Sequence, residues 1–219
     1  MKTGENIARE YQITPDAQNI RVESNKSKIY LGTKYLLDVM FSLVGLMVLM
    51  PVILIFSILI VLESPGSPFY LQERLGLNGK RFKVIKLRSM RNDAEKNGAK
   101  WAEKNDPRVT KIGLFIRKTR IDELPQLFNI LKGDMSLVGP RPERPIFTEK
   151  FERDIPGFKK RLEVKPGLTG WAQVNGGYEI TPGEKLELDV YYINHANLLL
   201  DFKIILKTIK VVITGEGAR

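Results

Sequence analysis

Two adjacent carboxylates, Asp122 and Glu123, stand in the stretch RKTRIDELPQLFNILKGDMS, directly after Arg117, Lys118 and Arg120. An acid pair beside so many cations has two readings, and both follow from the same electrostatics. As local structure, Asp122 is a good helix N-cap, Glu123 is a first-turn acid favoured by the helix dipole, and Pro125 fits a first turn. As chemistry, a helix start ringed by arginines is a place for phosphate. A carboxylate held there can bind Mg²⁺ or attack phosphorus. Spacing alone leaves both readings open.

A second cluster carries related chemistry. In LVGPRPERP, Arg141 follows Gly139 and stands between Pro140 and Pro142. Proline fixes φ, so this arginine is presented from a stiff loop, which suits bidentate recognition of a phosphate. A proline-rich connector with a surface arginine is the blander alternative. VKPGLTGWAQVNG sets Gly167, Gly170 and Gly176 around Lys165, Trp171 and Gln173. Glycines let backbone approach a ligand and Trp offers a stacking face; a tight turn over a buried Trp uses the same residues. Neither the P-loop nor the Rossmann glycine pattern occurs. The absence of cysteine excludes disulfides, thiolate metal sites and cysteine nucleophiles, and the one histidine, His195, cannot build a His-rich zinc site.

These residues need elements to hold them. Periodicity predicts a helix from Asp122, with Leu124, Leu127, Phe128 and Leu131 as its apolar stripe and Gly133 as its stop. Before it, TKIGLFIRKTR mixes Ile112, Leu114, Phe115 and Ile116 with four cations, as in a helix lying at a charged interface or packed on the core. SPFYLQERLGLNGKRFKVIKLRSM holds two short segments around Asn78-Gly79, a strong hairpin signal, and Phe82, Val84, Ile85 and Leu87 fit the second strand. RNDAEKNGAKWAEKNDPRVT reads as a short helix and a loop. LLLDFKIILKTIKVVI places Lys203, Lys207 and Lys210 on one helical face beside a broad apolar one, suited to an anionic membrane surface or to packing on the core.

From Val39 to Leu62 run about 24 residues without a charge, enough to cross a hydrocarbon core of roughly 30 Å. Pro51 sits near the middle. Arg21, Lys26, Lys28 and Lys34 precede the run, and Arg74, Lys80, Arg81, Lys83, Lys86 and Arg88 follow it. A straight span would put one cationic group on the wrong side of a membrane. Proline removes a backbone donor and kinks a helix. A break at Pro51 would let the chain dip into the bilayer and return to the same face, with Ser42 and Ser57 as local partners for freed backbone groups. An ordinary transmembrane helix that contains a proline is the other reading, and physics alone leaves the two even.

The 219 residues suggest one domain with an anchor or tail, and the net charge of +10 favours an anionic partner. Residues 1–27 are polar and aperiodic and read as a flexible tail, followed by a membrane helix over 28–63 and a globular domain over 64–219. Charge also motivates a membrane-tethered nucleic-acid-binding protein. No helix-turn-helix or RNA-binding aromatic signature supports it, so no nucleic-acid partner is expected.

Taken in order, YLQERLGLNGKRFKVIKLRSM, RKTRIDELPQLFNILKGDMSLVGPRP and VKPGLTGWAQVNG resemble the bacterial sugar transferases, also called monotopic phosphoglycosyl transferases. The resemblance runs from about Lys28 to Val212. It implies a mainly helical α+β fold: a re-entrant helix-break-helix at Pro51, a β-hairpin, and interfacial amphipathic helices around a compact catalytic domain. That domain would sit on the cytoplasmic face of the bacterial inner membrane, with the lipid bilayer and a second copy of the chain as expected partners. The implied reaction moves a sugar-1-phosphate from a UDP-sugar to undecaprenyl phosphate, the first membrane step of capsule, O-antigen, exopolysaccharide or protein-glycan synthesis. Asp122 would attack the phosphate next to the sugar, UMP would leave, and the phosphosugar-aspartyl intermediate would pass to the polyprenol phosphate. Glu123, with Asp122, would hold Mg²⁺. Arg117 and Arg141 match phosphate-binding arginines, and Lys86, Arg88, Lys165 and Gln173 are expected around the substrate. The family's break is typically a Ser-Pro pair; here it is Met50-Pro51, without the hydroxyl that could satisfy a freed carbonyl. The intact Asp122, Glu123 and Arg141 argue against a non-catalytic scaffold of the same fold.

Overall fold

The structure, a computed structural model, describes residues 26–94, 96, 106–176 and 180–214. The polar tail through residue 25 and most of the segment between Ala94 and Asp106, where a short helix is expected, lie outside the described residues.

Helix α1 spans Lys28–Glu63, capped by the Ser27 side chain, which accepts from the Ile29 amide. At 1.5 Å per residue it is roughly 54 Å long. Pro51 lies inside it and the helix continues through the proline, so the expected break is not an interruption of helical backbone. Pro51 deprives the Met47 carbonyl of its usual donor. The Ser57 hydroxyl does not replace that donor, because it bonds the Ile53 carbonyl at 2.7 Å. Buried Asp38, Ser42, Leu46, Ile53, Ser57 and Ile60 recur at helical spacing and form one seam through both halves. The rest of the helix surface exposes large apolar side chains, among them Leu36, Met47, Val48, Ile58 and Leu62. Among the described residues α1 is the one helix long and apolar enough to cross a membrane. So large an apolar surface marks an interaction with lipid or protein.

Strands β1, Phe69–Leu75, and β2, Arg81–Leu87, pair antiparallel from Phe69↔Leu87 to Leu75↔Arg81. The turn between them needs two left-handed residues, and Asn78 (φ 54°) and Gly79 (φ 75°) supply them, as the Asn-Gly signal predicts. Helix α2, Lys111–Lys118, starts on a Thr110 cap, and its Phe115 ring stacks on Phe56 of α1 at 5.7 Å. The Glu63 carboxylate, last residue of α1, accepts from the Lys111 and Ile112 amides at 2.8 and 3.1 Å. An anion at a helix N-terminus is favourable, so the end of α1 holds the start of α2.

A short 3₁₀ turn, Ile121–Glu123, leads into α3, Gln126–Leu131. Strand β3, Ser136–Val138, follows, then α4, Pro145–Asp154, a 3₁₀ segment Phe158–Glu163, and β4, Gly167–Thr169, which pairs parallel with β3. Helices α5, Trp171–Asn175, α6, Pro182–His195, and α7, Leu198–Thr214, complete the chain. One core joins α1, β2, α2 and α3 through Leu46, Ile53, Val84, Ile116 and Ile130. A second joins β3, α5, α6 and α7 through Val138, Trp171, Leu188, Ile193 and Ile204.

The amphipathicity of α7 has an unexpected sense. The Lys203 and Lys207 ammonium groups lie 5.6 and 4.8 Å from the Trp171 ring, and Lys207 donates to Asn175 at 2.6 Å. These two lysines therefore cover α5, while Leu199, Phe202, Leu206, Ile209 and Val212 form the exposed face.

Candidate active site

Asp122 does not cap a helix. Pro125 has no amide hydrogen to give Ile121, so the Leu124 amide takes that carbonyl at 3.2 Å and the chain tightens into a 3₁₀ turn. The α-helix begins only at Gln126, and no side-chain cap bond forms at this turn. Both carboxylates instead line a cavity of about 500 Å³. Lys86, Arg88, Arg117, Arg141 and Gln173, five of the residues expected around the substrate, share that wall, and Arg120 joins them.

The two acids differ sharply in their surroundings. Glu123 is held on both oxygens: Lys86 Nζ is 2.9 Å from Oε1, Arg141 Nη1 is 3.3 Å from Oε2, and Arg141 Nη2 also bonds Oε1. Asp122 has Lys86 Nζ at 3.9 Å from Oδ2. Burial pushes Asp122 up to about 6, against the pull of Lys86 and with Glu123 adding to the rise. Burial also works against the Glu123 anion, but Arg141 and Lys86 outweigh it and hold its pKa well below the usual range. Neighbouring carboxyls whose environments separate their pKa values can take different roles. Here Glu123 is a fixed anion that orients two cations, and Asp122 is the acid less tightly engaged by them.

The Pro-Arg-Pro loop is seated on backbone. A Cβ on Gly139 would come within 2.4 Å of the Lys165 carbonyl, and one on Gly167 within 2.1 Å of the Gly139 amide nitrogen. Gly167 and Gly170 of VKPGLTGWAQVNG thus let this loop lie against the β4 segment, while a Cβ on Gly176 would meet Ile180. Arg161, buried in an ion pair with Asp189 at 2.6 Å, donates to the Arg141 carbonyl at 2.9 Å. Glu143 is bonded by Lys185 and lies 3.5 Å from Arg74, which also donates to the Pro142 carbonyl. Burial opposes its charge, but Lys185, Arg161 and Arg74 together bring Glu143 to about 2. Arg74, Glu143 and Lys185 line the cavity as well. Sequence reasoning missed them; the charged Glu143 inside LVGPRPERP was the available signal.

Not every expected residue is brought to the cavity as a free ligand. Arg88 lines it, yet its guanidinium donates to the Pro65 carbonyl at 3.0 Å and to the Ser64 carbonyl, tying down the chain that leaves α1. Lys165 is not on the cavity wall; its ammonium lies 5.2 Å from the Tyr35 ring of α1. Trp171 is buried beneath Tyr191 and the α7 lysines, which favours the structural turn over the ligand platform.

A family profile described as bacterial sugar transferase matches residues 29–215. The chain belongs to the bacterial sugar transferase family. A Bacillus subtilis (strain 168) protein, provisionally named an undecaprenyl-phosphate N-acetylgalactosaminyl 1-phosphate transferase, is 59% identical over 159 residues, covering 72% of this chain and 87% of its own length. An Aeromonas hydrophila UDP-N-acetylgalactosamine-undecaprenyl-phosphate N-acetylgalactosaminephosphotransferase is 46% identical over 196 residues, 88% of this chain and 46% of its own length. A Xanthomonas campestris pv. campestris UDP-glucose:undecaprenyl-phosphate glucose-1-phosphate transferase is 40% identical over 190 residues, 84% of this chain and 39% of its own length. The chain thus spans under half the length of the latter two relatives. Family membership and the exposed apolar α1 agree on a membrane-associated transferase.

In the transferase, no group of three or more acidic or histidine side chains could hold a metal among the described residues. Two adjacent carboxylates facing a cationic cavity still fit Mg²⁺, which typically takes one or two protein carboxylates and completes its shell with substrate phosphates and water. Because Lys86 and Arg141 occupy both Glu123 oxygens, the donor set suits a metal that arrives with the diphosphate rather than one bound beforehand.

Proposed function

We propose that this transferase moves a sugar-1-phosphate from a UDP-sugar to undecaprenyl phosphate through a covalent aspartyl intermediate at Asp122. The observation that carries the reading is the contrast within the acid pair: Glu123 is saturated by Lys86 and Arg141, whereas Asp122 faces the cavity with its nearest ion-pair partner at 3.9 Å. An Asp122 oxygen attacks the phosphorus that bears the sugar. The bond from that phosphorus to the bridging oxygen breaks, and UMP leaves with the electron pair. A phosphate oxygen of the polyprenol then attacks the same phosphorus, and Asp122 departs as carboxylate. The product is a polyprenyl-diphosphate-linked sugar.

Arg117, Arg120, Arg141 and Lys86 surround the place where the diphosphate would sit and offset its charge, so an anionic nucleophile can approach. Mg²⁺, held by Asp122 and Glu123 together with substrate phosphates, would further neutralise the departing phosphate. Lys86 lies between the two acids and can follow charge from one to the other as Asp122 is consumed.

The acceptor head group lies at a membrane surface, and α1 supports a site held in that plane. Its first two turns are tied to the globular part through Tyr30 and Lys34 to Asp201 at 3.0 and 2.9 Å, its middle through the buried Leu46 and Ile53, and its last residue through Glu63 to α2. A helix that crossed to the far side would carry one of these polar ends away from the domain. This favours re-entry at Pro51, with both ends on the cytoplasmic face of the bacterial inner membrane. Glycan assembly on undecaprenyl carriers, for capsule, O-antigen, exopolysaccharide or glycoprotein, is the setting such a product serves.

The deciding experiment supplies a panel of UDP-sugars with undecaprenyl phosphate and Mg²⁺ and measures UMP release. Intact mass spectrometry, without the acceptor, should show one phosphosugar on the wild-type chain and none on Asp122→Asn. An adduct of equal mass on Asp122→Asn would move the nucleophile elsewhere.

A further inference from the structure

The buried polar network at the start of α1 has no contact with the cavity, yet it leads to Arg141. Asp201, in the first turn of α7, is buried. Its Oδ2 accepts from the Tyr30 hydroxyl at 3.0 Å and from Lys34 at 2.9 Å, both on α1. Its Oδ1 lies 2.7 Å from the Tyr192 hydroxyl, which also lies 3.2 Å from the Val138 carbonyl. One residue earlier in β3, the Leu137 amide donates to Asp38 of α1 at 3.0 Å. Leu137 of β3 is therefore held by α1 directly, and Val138 is linked to it through Tyr192 of α6 and Asp201. The next residue is Gly139, whose amide is bonded to Thr169 of β4 at 2.9 Å, and two residues on is Arg141. Thr169 is in turn bonded to Thr208 of α7 at 2.7 Å, so α7 holds both sides of the β3–β4 pair.

We propose that Asp201 is a positioning residue for the transfer: it locks the start of α1 to β3 and thereby sets where the Pro140–Pro142 loop presents Arg141. The case rests on what the network costs. A buried charged cluster adds little stability over well-packed apolar side chains of the same size, because desolvation offsets the attraction. What it does provide is direction, since every acceptor has one geometry that satisfies its donors. Apolar packing would tolerate a slide of α1 along β3, whereas the Asp201 and Asp38 contacts allow a single register. None of Tyr30, Lys34, Asp38, Tyr192 or Asp201 lines the cavity, so their effect on chemistry passes through the loop.

This inference rests on the proposed phosphate-binding role of Arg141, and its test separates the two. Asp201→Asn keeps size and one acceptor but loses the charge. In the UMP-release assay it should lower kcat/KM about ten-fold in the wild-type background and less than about two-fold in Arg141→Lys, because the second change acts on a contact the first has already spoiled. Equal losses in both backgrounds would mean that Asp201 acts on folding or elsewhere, and would overturn the proposal. Hydrogen exchange gives an answer independent of activity: amides of residues 136–141 should exchange faster in Asp201→Asn, while those of the β1–β2 hairpin do not change. Unaltered exchange at 136–141 would also overturn it. If Asp201→Asn loosens the hairpin as well, Tyr192→Phe, which removes one hydroxyl, is read by the same two measurements. A wild-type chain that releases no UMP would defeat the functional reading, while exchange at 136–141 would still decide the role of Asp201 in holding β3.

Discussion

With burial holding its pKa at about 6, Asp122 is about nine-tenths ionised at pH 7 and about one-tenth at pH 5. The rate of the first step should fall about ten-fold per pH unit below that pKa, measured as UMP release with the acceptor in excess. Stability runs the other way. A carboxyl whose folded pKa is raised binds its proton more tightly when folded, so its ionisation opposes folding in full above pH 6, less as pH falls from 6 to 4, and not at all below the unfolded value near 4. The penalty is on the order of 3 kcal/mol for a group this deeply buried. Asp122→Asn should therefore abolish turnover yet raise Tm by about 6 °C at pH 7.5, and the gain should vanish at pH 4. A lower Tm for Asp122→Asn at pH 7.5 would mean that Lys86 needs both acids. Arg141 invites a complementary test. Its two nitrogens bond both oxygens of Glu123, a fork an ammonium cannot reproduce. Arg141→Lys should lose roughly ten- to a hundred-fold in rate at equal folded protein, the equivalent of about 1.5–3 kcal/mol; wild-type activity in that variant would leave the loop as architecture alone.

Among the elements, α1 carries the sharpest prediction. Replacing the proline inside α1 by Pro51→Leu restores the donor for the Met47 carbonyl and should turn some molecules into a spanning form. The chain has no cysteine, so single cysteines introduced before and after α1 can be labelled in intact cells. Both ends should be shielded from an impermeant external reagent in the wild type, and the N-terminal one should become reactive in part of the Pro51→Leu population. External labelling of the wild type would refute re-entry. How well each element could be read from sequence follows from how local its cause is. The hairpin was legible because Asn78 and Gly79 alone supply the backbone the turn needs. The helix expected from Asp122 was displaced because one missing amide hydrogen, at Pro125, outweighed a favourable cap, and cap preference carries no information about that competition. The acid pair and Arg141 could be found because their types and loop chemistry are unusual in themselves. Arg161–Asp189 and Lys34–Asp201 could not, since their partners stand 28 and 167 residues apart and neither member is unusual in its own stretch. Lys165 misled for the same reason: its Tyr35 partner lies on the membrane helix.

Across the whole molecule, the exposed face of α7, Leu114 and Phe115 of α2 and the outer surface of α1 present apolar side chains, while the cationic cavity opens among the β1–β2 hairpin and the Pro-Arg-Pro loop. A net charge of +10 should add attraction to anionic lipid, so flotation with vesicles should persist in high salt, where only the charge contribution is screened. The double attachment of α1, by Lys34 at one end and Glu63 at the other, has a further consequence for the lipid itself. A helix that crosses a bilayer must match its thickness and tilts or strains when it does not. The re-entrant path proposed for α1 would keep it from the opposite head groups and leave it no thickness to match. Reconstituted into bilayers of short and long acyl chains at equal fluidity, the transferase should turn over at the same rate. What should govern it instead is the lateral pressure within the one leaflet it enters, and lipids that crowd their tails should slow it even where the bilayer's thickness is unchanged.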